Sequence, residues 1–153
     1  MMPGKTRWLV VGVLCVALWT AAASAQQTRW EKLTDAGVKA YQEGRYAEAE
    51  KLLSDALKEA EKLGPNDPRL AASLNNLAAI YDAQGKYAEA EPLYKRSLAI
   101  REKALGPDHP DVATTLENYA DLMRKTGREA EAEKMKVRAT AIREQHAKPN
   151  PPK

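Results

Sequence analysis

Histidine, cysteine and paired carboxylates are the side chains most able to do chemistry, and this chain of 153 residues holds few of them in useful arrangements. Its two histidines, His109 and His146, lie far apart. His109 stands beside Asp108 and Asp111, a set that invites a metal ion. The same residues suit a turn before a helix, where they cap backbone N–H groups and match the helix dipole, and Pro110 is placed to open that helix. The turn reading is preferred. The Ala-Glu-Ala-Glu runs at 47–50, 88–91 and 130–133 set carboxylates two residues apart. That is about 200° around a helix, which is wrong for an acid and base acting on one bond. They read as helix-forming, solvent-facing residues. No glycine-rich phosphate loop and no Gly-x-Ser-x-Gly elbow occurs. No catalytic residue, cofactor or metal site is therefore expected.

What the sequence has instead is a repeat. Gly85-Lys86-Tyr87-Ala88-Glu89-Ala90-Glu91-Pro92-Leu93 matches the stretch Gly44 to Leu52 at seven of nine positions, and returns in worn form from Gly127 to Met135. The offsets are 41 and 42 residues. Gly64-Pro65-Asn66-Asp67-Pro68 and Gly106-Pro107-Asp108-His109-Pro110 keep the same interval. A period of this size marks stacked supersecondary units.

The first 25 residues stand apart. Lys5 and Arg7 precede an uncharged apolar run from Trp8 to Trp19, and Ala23-Ser24-Ala25 offers small residues before Gln26. That layout predicts a secretory signal peptide over 1–25, cleaved after Ala25, and hence an exported protein, periplasmic or secreted. The alternative is a retained anchor, since the apolar stretch from Trp8 to Ala25 is near the lower limit for a membrane span. After cleavage no stable membrane insertion is expected. Cys15, the only cysteine, lies inside the leader and follows Leu14 rather than the small residue that lipidation needs. The mature chain would hold neither disulfides nor a thiol. Of 24 Lys plus Arg, two belong to the leader, which leaves +1 against 21 Asp plus Glu. So weak a balance does not point to nucleic acid. The charge is uneven: residues 124–153 carry nine basic and four acidic residues. A solvated terminal helix is preferred there over a patch for an anionic partner.

Between leader and tail the residues predict six helices: Thr28–Glu43, Tyr46–Leu63, Pro68–Gln84 with Asp67 as cap, Tyr87–Leu105, Pro110–Thr126 and Arg128–His146. Residues 147–153 are proline-rich and predicted disordered. Strand periodicity is absent. In the third helix Leu74, Leu77, Ala78 and Tyr81 share one face, and Ala72, Asn75, Asn76, Ala79, Asp82 and Ala83 share the other, small and polar. In the fourth, Ala90, Leu93, Tyr94, Ser97 and Leu98 form the buried stripe with Arg101 at its edge. Pro92 lies past the first turn and should delete one helix hydrogen bond and bend the helix slightly. Trp30 is expected to pack on the first helix pair.

The spacing of Leu74, Leu77, Ala78, Tyr81, Gly85, Tyr87, Ala90, Tyr94, Ser97 and Leu98 resembles the signature of a tetratricopeptide repeat. Leu33, Gly37, Ala49, Leu53, Ala56 and Leu57 carry it in the first repeat, and Leu116, Tyr119, Ala120, Gly127, Ala132 and Ala139 in the third. The 42-residue period, with Leu74-Asn75-Asn76-Leu77-Ala78, resembles the kinesin-light-chain type. The resemblance implies an all-α, right-handed superhelical solenoid of three helix-turn-helix repeats over 26–146, at about 30–66, 70–108 and 112–146. Lys136 and Thr140 replace the large apolar residues found at Leu53 or Tyr94 and at Leu57 or Leu98, and read as the polar outer face of a terminal repeat; a repeat degraded from a longer array is the alternative.

In such a fold the first helices of successive repeats line a concave groove. By helical phase the groove is expected to use Asp35, Val38 and Tyr41 from the first repeat, Asn75, Asn76 and Ala79 from the second, and Asn118, Asp121, Arg124 and Lys125 from the third. Asn amides donate and accept together, so Asn76 and Asn118 could grip the backbone of an extended peptide; the resemblance implies the same role for them. The other reading is that they only bond between neighbouring helices. The expected partner is thus a protein or extended peptide, with no nucleic acid. The alternative function is structural: a self-assembling homo-oligomeric unit of a larger envelope complex.

Overall fold

The computed structural model describes residues 29–147. The leader expected over 1–25 and the tail residues 148–153 lie outside the described residues. Within them the chain forms six helices and no strand: α1 over 29–42, α2 Tyr46–Glu61, α3 Pro68–Ala83, α4 Tyr87–Leu105, α5 Pro110–Lys125 and α6 Glu129–Ala147. Ala147, expected in the tail, is the last residue of α6. Residue 92 is a proline inside α4, which runs through it without a break.

Each helix pair is closed by the same turn. Gly44, Gly85 and Gly127 have φ of 75°, 75° and 77°, a region that costs an L side chain energy. The N–H after each glycine reaches back five residues: Arg45 to the Ala40 carbonyl, Lys86 to Tyr81 and Arg128 to Met123, at 2.8, 2.8 and 2.9 Å. These are the reach-back bonds that end a helix at a left-handed glycine. The repeated Gly-Arg/Lys pair is thus a turn device. Between repeats, Asp67 accepts the Arg69 N–H at the start of α3, and His109 Nδ1 accepts the Asp111 N–H at the start of α5. His109 is thereby a helix cap.

Paired helices approach closely because their contacts are small. Ala49, Ala78, Ala90, Ala120 and Ala132 are fully buried, and Ser97 Oγ donates to the Ala71 carbonyl at 2.7 Å. The core is a ridge of overlapping clusters along the stack. Leu53, Leu77 and Ile80 form one part; Leu70, Leu74 and Ile100 the next; Tyr94, Tyr119, Leu122 and Met123 another; Val112, Leu116 and Ile142 the last. Leu93 touches three of them.

Several expectations change. Asn75, expected on the small polar face, is buried, because α3 is covered by α2, α4 and α5 at once. Arg101 is inside the stripe, not at its edge: its guanidinium donates to the Asp111 carbonyl at 2.5 Å and to Thr115 Oγ1 at 2.9 Å. Burial lowers its pKa from the usual arginine value. Trp30 packs against the cluster formed by Ala60, Leu70, Ala71, Leu74 and Ile100, which joins the first two repeats, and its indole N–H donates to Ser73 Oγ at 2.7 Å.

The Ala-Glu-Ala-Glu runs are more than filler. Glu50 takes Lys86 at 3.0 Å, and Glu91, 41 residues on, takes Arg128 at 2.8 Å. Glu61 takes Arg96 at 3.5 Å, and Glu102 takes Arg138 at 2.6 Å. Repeat n supplies the carboxylate and repeat n+1 the base. Two of the nine basic residues near the C-terminus, Arg128 and Arg138, are donors in these contacts. Arg143 is held instead within its own repeat, by Glu117 at 2.6 Å.

Candidate functional site

α1, α3 and α5 are the first helices of the three pairs, and α3 touches α5 directly. Two depressions open between them. One, of about 330 Å³, is lined by Val38, Tyr41, Gln42, Leu53, Asn75, Asn76, Ala79, Ile80 and Asn118. The other, of about 360 Å³, is lined by Tyr41, Ala79, Asp82, Tyr94, Asn118, Asp121, Arg124 and Lys125. Tyr41, Ala79 and Asn118 belong to both, so the two form one trough. Of the groove residues named above, all line it except Asp35, which is exposed one turn before Val38 on α1; Glu31, Thr34, Ala72, Ala83, Thr114 and Glu117, which helical phase also puts on that side, do not line it.

The asparagines divide by role. Asn118 Nδ2 donates to Asn75 Oδ1 at 3.3 Å, tying α5 to α3. Asn76, half-buried, uses its amide in no hydrogen bond among the described residues. The inter-helix reading therefore holds for Asn75 and half of Asn118, while Asn76 keeps its donors and acceptor for something else.

The charged wall is internally matched. Lys125 Nζ lies 2.7 Å from Asp82 Oδ2, and this hydrogen bond raises the lysine pKa. Asp121 holds Arg124 at 3.2 Å and Lys136 at 3.5 Å. Lys136, placed where a following helix would pack, is thus tied to a carboxylate that lines the trough. Asp82 Oδ1 is buried without a donor among the described residues. Beneath it lies Tyr94, 1% exposed, whose phenol pKa is pushed up by burial first and then by Asp82, Tyr41 and Asp121.

The floor residues Leu53, Ile80 and Tyr94 were not expected in the groove. As large apolar residues they read as packing between repeats, which they also do. Their exposed slivers follow from the small Ala79 above them, and the phase plot gives only the rim of a trough.

A tetratricopeptide-repeat family model matches residues 70–111. The matched stretch is a tetratricopeptide repeat, and the solved structures similar to the chain include repeats of the kinesin-light-chain type. The crystal structure of BtubC (BKLC) from P. vanneervenii is similar at a TM-score of 0.69 and 26% identity, over 81% of this chain and 51% of that one. The nearly identical TPR-like repeats of a Podosopora anserina protein described as a kinesin light chain give 0.71 and 26%, over 81% and 59%. This chain thus spans between half and three-fifths of those two. The TPR domain of Arabidopsis FLU shares the fold at 0.68 and 21% identity, over 78% of this chain and 98% of that one. No curated protein matches the chain in sequence. A tetratricopeptide array of this kind is a protein-interaction module, built to present a surface. Among the described residues no helix is long and apolar enough to cross a membrane, and no group of His, Cys, Asp and Glu is placed to hold a metal.

Proposed function

We propose that this chain is an exported, non-catalytic interaction module that holds a protein or extended peptide on its concave face. The observation that carries this reading is the unused amide of Asn76 on the wall of an apolar depression floored by Leu53 and Ile80. Such a site offers backbone hydrogen bonds beside a place for one side chain, which is what an extended peptide needs. The commitment of most basic residues near the C-terminus to carboxylates argues against a nucleic-acid surface. Export rests on Lys5, Arg7, the apolar run and Ala23-Ser24-Ala25.

The test is capture from an envelope extract by the full chain, beside an Asn76→Ala variant of unchanged helicity. A partner held by the first and lost by the second supports the groove. A partner held equally by both moves the site elsewhere. Export is read from the mass of the protein in the envelope fraction, expected to begin at Gln26; an intact leader there means a retained anchor.

One observation favours self-assembly as a second reading. Glu133 and Glu144 stand 42 residues after Glu91 and Glu102, the acceptors of the next repeat's bases, and pair with no base among the described residues. Against it, the apolar positions of that face have become Lys136 and Thr140. A sedimentation coefficient that rises with concentration would support stacking of copies through α6.

A further inference from the structure

The trough's charges point to the chemistry of its occupant, given the groove reading above. Three basic side chains on the concave side already hold carboxylates: Arg69 makes two bonds to Asp67 at 2.9 and 2.7 Å, Lys125 holds Asp82, and Arg124 holds Asp121. Glu117 is occupied by Arg143. Glu31 and Asp35 are different. They lie two turns and one turn before Val38 on the same face of α1, both are exposed, and neither makes a salt bridge to a Lys or Arg among the described residues; Arg69, bonded to Asp67, acts on Glu31 only through its charge. Further along the trough, the buried Asp82 Oδ1 also lacks a donor among the described residues. The α1 rim beside the trough and its Asp82 side therefore each keep carboxylate oxygens with no bonded donor among the described residues. Tyr41 leaves 37% of its surface exposed at the rim shared by the two depressions, where its ring can also receive a cation.

We propose that the groove selects an extended peptide in which an apolar side chain enters the depression over Leu53 and Ile80 and a neighbouring lysine or arginine meets Asp35 and Glu31. The apolar residue supplies most of the affinity, since an exposed ion pair adds little in water. The basic residue supplies selectivity, and its contribution fades with salt because the carboxylates are exposed.

The test uses the full chain and three fluorescein-labelled extended peptides, each with a central leucine flanked by lysines, glutamates or glutamines. Fluorescence anisotropy at low salt should rank lysine above glutamine above glutamate, with about fivefold between neighbours. A Glu31→Lys, Asp35→Lys chain should reverse that order; both sites are exposed on a helix, so circular dichroism should not change. Ala79→Leu, which fills the trough, should weaken all three. Equal binding of the three peptides, or an order unchanged by the charge reversal, overturns this inference while leaving the groove reading intact if Ala79→Leu still weakens them. No binding of any peptide overturns both.

Discussion

Arg128 lays its guanidinium flat on the carboxylate of Glu91, Nη2 to Oε2 at 2.8 Å and Nη1 to Oε1 at 3.0 Å. One repeat earlier Lys86 reaches Glu50 at 3.0 Å in the equivalent place. Two further donors converge on Glu91: Tyr119 Oη at 3.1 Å and Lys95 Nζ at 2.7 Å. Each base follows the turn glycine of its repeat, so the turn that ends one helix also aims the side chain that docks the next pair.

Glu91 should make stability depend on acid. Hydrogen bonds from Arg128 first, then Lys95 and Tyr119, hold its pKa down at about 2 against an ordinary 4.5. A carboxyl depressed in the folded state stabilises fully above its unfolded pKa and is lost as pH falls, here from about 4.5 to about 2. Glu91→Gln is expected to lose about 1.5 kcal/mol at neutral pH. Urea titrations should show the gap from wild type closing across that window. A gap that persists at pH 2 would mean the charge is not what binds the repeats.

Gly37 is expected to resist alanine. An added Cβ would sit 2.7 Å from Leu53 Cγ and 2.8 Å from its Cδ2. Leu53 is 1% exposed and has little room to retreat. Overpacking costs about 1–3 kcal/mol, while alanine gains about 1 kcal/mol of helix propensity over glycine. The net expectation for Gly37→Ala is a loss of about 1 kcal/mol, read from the thermal midpoint, with part recovered by Leu53→Val. A gain in stability would mean that α1 slides freely on α2.

The fold was legible because the repeat writes the glycine turns and the buried alanines three times and the helix cap twice, as Asp67 and His109, so each can be checked against a copy. Burial around α3 was harder to read. Helical phase treats a helix as having one inside, whereas α3 is covered from three directions, so Asn75 disappears from the surface. The long pairs were illegible for another reason. Glu91 and Arg128 are 37 residues apart, and nothing in the spacing of carboxylates on one helix reveals a base arriving from the next repeat. The rim of the groove could be read from phase alone, but its floor required knowing how closely Ala79 lets the helices approach.

Trp30 should report on the docking of the first two repeats. Its ring packs against the cluster that holds Leu70, Leu74 and Ile100, and its N–H is held by Ser73 Oγ at 2.7 Å. With Trp8 and Trp19 replaced by phenylalanine, its emission should red-shift on unfolding in step with the loss of helical dichroism. Ser73→Ala leaves the indole N–H without that acceptor and should cost about 1 kcal/mol. Emission already at the fully exposed wavelength before unfolding would refute the packing.

Pro92 is where the second repeat departs from its neighbours, which have Lys51 and Lys134 at the equivalent positions. It lies inside α4 with its side chain exposed, so it contributes no core contact that lysine would forfeit. As the sixth residue of the helix it cannot donate to the Ala88 carbonyl, and its ring crowds that oxygen. Interior proline costs about 3 kcal/mol in a regular helix, and less near the first turn, where fewer bonds are at stake. Pro92→Lys is therefore expected to stabilise the chain by about 1 kcal/mol or more, seen as a higher urea midpoint with an unchanged slope. A neutral or destabilising result would mean that the proline sets a curvature in α4 on which the contacts of Leu93 depend.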